Sequence, residues 1–243
     1  VLSTGSVING AVIGNGDDTL VLQNNLENPG GGVSGGGSIN GAQYQSFEHF
    51  VINSGTWTVN NTLSATDASL NNGLLLLTAG TELGSATVTA QGGSIGAATN
   101  GITINKDITL SPNSDGSGIS GLTLTGTNAF LVSGVLMGSG SLTKTQSGTV
   151  TLTGANTYTG GTTINGGTLA LSGSGSLAAT GSVNLADSTA TFNIGQATAN
   201  QTVGALSGVA GSTLNLGSRT LTFGDATDTS MGGVISGTGG LIK

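Results

Sequence analysis

The chain has no cysteine, two prolines, one histidine and four basic residues in 243. Each scarcity excludes something. Without cysteine there is no disulfide framework, no thiolate nucleophile and no thiolate metal site. With so little proline, the 46 glycines belong neither to collagen nor to proline-rich disorder. Charged residues make up 6% of the chain and aromatics 3%; an ordinary globular domain carries roughly 25% charge. Disordered chains have the opposite balance, rich in charge and poor in apolar side chains. Here apolar residues are 35% and mean hydropathy is +0.21, enough to bury a core. The four bases, Lys106, Lys144, Arg219 and Lys243, lie far apart in sequence, and the formal net charge is −7. Neutralising phosphates takes clustered cations, so no nucleic-acid partner is expected. Attraction to an anionic membrane surface fails for the same reason. No apolar run exceeds the length of Leu74–Leu77. A membrane helix needs roughly 18 apolar residues, so no membrane insertion of this segment is expected.

What remains is mostly glycine, threonine, serine and asparagine interleaved with leucine, valine and isoleucine. The alternation puts one side of a strand inward and the other outward. It predicts strands at Thr19–Leu22, Phe50–Asn53, Thr56–Val59, Leu74–Thr78, Thr87–Ala90, Ile102–Asn105, Ile108–Leu110, Leu122–Thr125, Leu142–Lys144, Thr149–Thr153, Thr162–Asn165, Thr168–Leu171, Ser182–Leu185, Thr213–Leu216 and Arg219–Phe223. Gly-Gly, Asn-Gly and Gly-Ser-Gly between them supply tight turns. No segment has capped helical periodicity.

Repetition favours a solenoid over a sandwich or barrel. LTLTGTN at Leu122–Asn128 returns as VTLTGAN at Val150–Asn156, and GSGSL at Gly138–Leu142 returns at Gly173–Leu177. Gly233–Lys243 reads GVISGTGGLIK against GVLMGSGSLTK at Gly134–Lys144, identical at six positions. That second copy is expected to be the start of a further repeat, making the chain a piece of a longer array. At an assumed ~22 residues per coil, about 11 coils are expected.

The stretch Gly134–Leu171 resembles the passenger-associated β-strand repeat of bacterial autotransporters. The signature lies in Gly154, Asn156, Thr157, Tyr158, Gly160, Gly161, Thr162, Thr163, Gly166, Gly167, Thr168 and Leu169. FEHFVINSGTWTVNNTL at Phe47–Leu63 resembles another passenger phrase. The resemblance implies an all-β fold, a right-handed parallel β-helix, exported through a C-terminal translocator β-barrel of the full precursor. It also implies a place on the bacterial surface, outer-membrane-anchored or secreted. On this reading residues 1–243 are one continuous β-helix fragment. Residues 1–66 form N-terminal coils with a Gly-rich loop at 28–37, residues 134–171 the repeat, and 233–243 the start of a truncated second one.

Chemistry-bearing residues are few. His49 follows Glu48, but neighbours in a strand point to opposite faces and would not meet. A Ser-His-Asp triad would have to use His49, and no nucleophile elbow leads from strand to helix. Gly14–Leu20 contains Gly-x-Gly-x-Asp wording like a calcium-binding nonapeptide, which makes Asp17 and Asp18 the metal candidates. Calcium takes six to eight oxygens, and one copy supplies too few, so an Asp-containing turn is the favoured reading. Asp225 and Asp228 form a second acidic turn. The run Asn28–Gly37 lacks the helix and lysine of a phosphate cradle and reads as a protruding loop. Asn28 and Gly37 there, with Tyr44 and Trp57, are the candidate contact residues, although for Trp57, Tyr44 and Phe47 the favoured reading is that they cap or fill an N-terminal coil. No catalytic residue or cofactor is expected.

The expected function is a non-enzymatic stalk or adhesin segment. It would mediate adhesion or present an effector region, with a host-cell surface or matrix component, or another copy of itself, as partner. Two alternatives stay open. One is a carbohydrate-active β-helix, which needs converging carboxylates. The other is a stalk whose catalytic domain lies outside this chain.

Overall fold

The computed structural model describes residues 1–3, 12–15, 17–23, 36–112 and 121–243. Among them there is no α-helix, one 3-10 turn at Gly41–Gln43, and 28 short strands whose pairings are all parallel. The chain winds into a β-solenoid of about ten turns. Three sheets form its sides. The first has seven strands, from Leu2–Ser3 to Leu136–Gly138; the second has nine, from Gly36–Asn40 to Leu206–Gly208; the third has seven, from Ile102–Ile104 to Val234–Ser236. Beyond Gly138 the first side continues through the backbone of Thr157 and Thr159. Their N–H groups donate to Leu136 and Gly138 carbonyls at 2.8 and 2.9 Å. The strands Gln201–Val203, Leu221–Phe223 and Leu241–Ile242 form a separate three-stranded sheet.

Parallel in-register stacking dictates where each side chain goes. Each coil adds one strand spacing, ~4.8 Å, so residues on successive coils lie directly over one another. Inside the second sheet the column runs Trp57, Leu75, Ile95, Leu124, Lys144, Ile164, Leu185. Inside the third it runs Ile102, Phe130, Val150, Leu169, Phe192, Leu214. These residues are all buried. A buried aliphatic or aromatic side chain stabilises by roughly 1.5–3 kcal/mol, and the columns repeat that gain coil after coil. The alternate residues face out. One outward row of the second sheet is Ser94, Thr123, Thr143, Thr163, Asn184, Ser207, with no charge in it.

The coil is shorter than the expected 22 residues where corners are tight. Leu142 pairs with Thr162, 20 residues on, and Thr56 with Leu74, 18 on. Every expected strand is present within a residue or two at its ends. The remaining strands lie outside the expected set, among them Asp67–Leu70, Ser94–Ala97, Phe130–Val132, Leu136–Gly138, Thr191–Ala197 and Leu206–Gly208. Several contain Gly or Asp, which lower β propensity but cost little where the neighbouring coils supply both ladders.

The repeat's glycines occupy the corners. Gly161, Gly166 and Gly167 have φ of 84°, 148° and 62°, a region closed to most L residues. Gly154 and Gly160 instead lie against the backbones of Gly134 and Gly140 one coil back, where a Cβ has no room. Replacing Gly167 by Val should destabilise the fold by about 1–3 kcal/mol or more, through left-handed strain and collision with the Gln146 and Gly148 carbonyls. Gly173 has φ of 58° but open space around it, so Gly173→Asn, a residue that tolerates this conformation, should be nearly neutral. Urea unfolding of the two variants beside the wild type measures the contrast. Equal stability of Gly167→Val and wild type would refute the corner assignment.

Candidate functional site: the repeat seam and the outer faces

The repeat 134–171 is stitched to its neighbours by buried polar side chains. Asn156 is 3% exposed. Its Oδ1 accepts the Leu136 N–H at 2.9 Å, and its Nδ2 donates to the Gly154 and Ser176 carbonyls, each at 2.9 Å. One amide thus joins three coils at a corner where the backbone ladder is reduced to the single bridge of Ala155 with Ser176. Tyr158 is buried beside it, its hydroxyl 2.6 Å from Thr162 Oγ1. Burial pushes the phenol far above its ordinary value, and the Thr162 bond opposes this only in part.

Lys144 is the most unusual core residue. The alternation Leu142, Thr143, Lys144 sends it inward, between Leu124 and Ile164, and it is 0% exposed. Its ammonium reaches the corner and donates to the carbonyls of Thr145, Gln146 and Gly166 at 2.7, 2.8 and 3.2 Å. Gln146 has φ of 59° and Gly166 of 148°, so left-handed corners of two coils turn their carbonyls onto one cation. Burial pulls its pKa down to about 8.

Glu82 makes a similar closure in reverse. Its buried carboxylate accepts the N–H groups of Thr78, Ala79 and Gly80 and the Thr78 hydroxyl, at 2.5–2.7 Å. Burial pushes its pKa up, but these donors outweigh it and the net direction is down.

The candidate residues fall into place as follows. Asp18 Oδ2 accepts the Asn15 N–H at 2.6 Å, which is the turn reading. Asp17 is not drawn to Asp18 but to His49 Nε2, 2.6 Å away. Among the described residues no group of three or more His, Asp or Glu side chains is arranged to hold a metal ion. Asp225 Oδ1 accepts the N–H and hydroxyl of Thr227, again a turn. Asn28 lies outside the described residues, as does most of the 28–37 loop. Two contact candidates fill the N-terminal coils instead, the favoured reading of them. Tyr44 and Trp57 are core residues, 7% and 4% exposed, because their strands turn them inward. Gly37 is exposed in the strand Gly36–Asn40, in register with Trp57, whose ring would lie 3.0 Å from a Cβ at this position.

His49 and Glu48 do not meet, as alternation requires. Yet His49 Nδ1 lies 2.6 Å from Asp67 Oδ2 on the next coil. Sequence reasoning missed this pair because it depends on the 18-residue coil that sets His49 over Asp67. The outer surface also has a groove of about 400 Å³, floored by Thr87, Thr89, Thr109 and Met137 and walled by Asn105, Lys106 and Asp107. Both charges in its wall are engaged: Lys106 Nζ donates to Gly84 O at 2.9 Å, and Asp107 accepts the Val135 N–H at 2.7 Å.

Two outcomes follow. Asn156→Ala should cost about 1–3 kcal/mol in urea unfolding, since it leaves the buried Leu136 N–H unsatisfied. A cost below half a kcal/mol would refute the seam role. For Lys144, the folded pKa of about 8 lies below the ordinary 10.5, so the unfolded chain holds more protons between these values. Stability should therefore rise as pH climbs from 8 towards 10.5, and this rise should vanish in Lys144→Met. Equal pH dependence of the two proteins would contradict it.

Comparison with known proteins agrees with the placement of this seam. No curated protein and no solved structure matches the chain. Residues 142–171 match the family described as Passenger-associated-transport-repeat. They span Lys144, Asn156, Tyr158 and the five corner glycines, so the match falls on the residues that join one coil to the next. The β-solenoid and this repeat together support an autotransporter passenger built of β-repeats.

Proposed function

We propose that the chain is a rigid stalk section of an autotransporter passenger, displayed on or released from the bacterial surface. It holds adhesive or effector regions away from the cell and takes part in adhesion through its outer faces. The repeat implies secretion to the cell surface. The observation that carries the reading is the contrast between a continuous interior and a neutral exterior. Buried columns run from coil to coil, whereas outward rows such as Ser94, Thr123, Thr143, Thr163, Asn184 and Ser207 present hydroxyls and amides at one fixed spacing. A rod of this kind suits load-bearing and many weak contacts. A host-cell surface or matrix component, or a second copy of the chain, is the partner that such rows would meet.

Contacts between neutral hydroxyls and amides are little screened by salt, whereas ion-pair recognition weakens as the Debye length falls from about 30 Å at 0.01 M to about 3 Å at 1 M. Binding of the purified chain to cells or matrix should therefore change little across that range. It should fall when coils are deleted, while single outward changes such as Thr143→Ala or Thr163→Ala cost little. Steep salt dependence, or loss of binding from one such substitution in a folded protein, would overturn the adhesive part. Turnover of a polysaccharide or peptide that disappears in Asp107→Asn would instead place an enzyme in the groove.

A further inference from the structure

One cluster of titratable groups lies outside the repeat, and the strand pattern does not require it. On the outer face of the first sheet, Thr19, His49, Asp67 and Thr87 occupy one row on four successive coils. The His49 ring is held at both nitrogens, by Asp67 through Nδ1 and by Asp17 through Nε2, each at 2.6 Å. Ionised carboxylates only accept hydrogen bonds. A ring that satisfies both must carry two N–H groups, and such a ring is the imidazolium. The other charged groups at this junction are Asp18 and Glu48, tied to each other by the Asp18 N–H donating to Glu48 Oε2 at 3.0 Å. Thr19 and Thr87, which flank the row, carry no charge. Protonated His49 is thus the cation within a group of four carboxylates. Hydrogen bonds to Asp17 and then Asp67 raise its pKa above 6.5, with slight desolvation opposing.

We propose that Asp17, His49 and Asp67 form a proton-operated clasp, which ties the turn before Thr19–Gln23 to the next two coils and releases it when the ring loses its proton. The neutral ring keeps one N–H. Its other nitrogen becomes a lone pair facing a carboxylate, and that arm opens. Asp17 is the arm that lets go: its side chain is 89% exposed, against 38% for Asp67, and Asp67 is fixed by the strand ladder. The sign follows from the raised pKa. The clasp is fully closed below 6.5 and is lost as pH rises through the higher folded value. The N-terminal coil is therefore held more firmly in acid than in alkali, whereas the coils around the repeat change in the opposite sense, through Lys144, and only above about pH 8.

The test is a ring-nitrogen NMR titration of His49, with amide hydrogen exchange read at the same pH values and corrected for intrinsic rates. The His49 and Asp18 amides report directly, since they donate across this junction to Asp18 O and Glu48 Oε2. A midpoint above 6.5 and several-fold faster exchange of these two amides over that midpoint, with no acceleration at Leu169 and Leu171, supports the clasp. A midpoint one unit above 6.5 would mean about tenfold tighter holding of the protonated ring. In His49→Gln the step in exchange should disappear. Asp17→Asn provides a second reading should that variant not fold, and it should lower the midpoint. A midpoint at or below 6.5, exchange that does not follow it, an equal step in His49→Gln, or an unmoved midpoint in Asp17→Asn would each overturn the proposal.

Discussion

The structure depends on one constraint: in a parallel solenoid each residue lies over the residue one coil away, so like must stack on like. Backbone ladders set the coil spacing, and side chains have to fit a column rather than a pocket. This explains the peculiar composition. Charge placed in a repeated outward row would face its own kind a strand spacing away. Threonine, serine and asparagine do not repel, and hydroxyl or amide neighbours can bond along the row, as Thr145 Oγ1 does to Thr125 Oγ1 at 2.7 Å and Asn71 to Asn53 at 2.8 Å. Inside, leucine, isoleucine, valine and phenylalanine tolerate stacking on themselves. Repetition also makes stability nearly a sum over coils and their interfaces.

Corners are where that arrangement is under stress, and the polar core residues are found there. Between strands the backbone leaves the ladder, and its N–H and C=O groups need other partners. Asn156 accepts the Leu136 N–H and adds a second donor to two carbonyls, Lys144 supplies an ammonium to three carbonyls, and Glu82 a carboxylate to three N–H groups and a hydroxyl. These residues contribute by closing the corners, and they tolerate burial because each is fully partnered. The recognisable repeat is accordingly a corner signature. Most of its wording, Asn156, Tyr158, Gly160, Gly161, Gly166 and Gly167, lies between strands or at their edges.

Much of the fold was legible in the sequence because period-two alternation is local. The strands Thr149–Leu152 and Thr162–Ile164 can be read from their own residues, and the positive-φ corners at Gly161 and Gly167 from their glycines. What depended on coil length was not legible. Trp57 and Tyr44, scarce aromatics in a polar chain, suit either the filling of an N-terminal coil or a surface contact, and strand direction decides for the filling. His49 was judged only against its neighbour Glu48, because nothing local tells which residue 18 positions on will lie beside it. Lys144 shares the parity of Leu142, which turns it inward, but the corner carbonyls that accept it cannot be placed without the coil.

The central claim is that the chain forms one stacked column with this register. It can be tested most directly by pairs of nitroxide spin labels on outward positions of the second sheet. Thr143 and Thr163 are in register on adjacent coils, and Asn184 lies one coil further along the same row. The account predicts strong dipolar broadening for labels at Thr143 and Thr163. For Thr143 and Asn184 it predicts weaker broadening, since their backbones are about 9.6 Å apart at two strand spacings. Spectra without interaction at the first pair, or with the stronger interaction at the second, would contradict the register and the solenoid built on it.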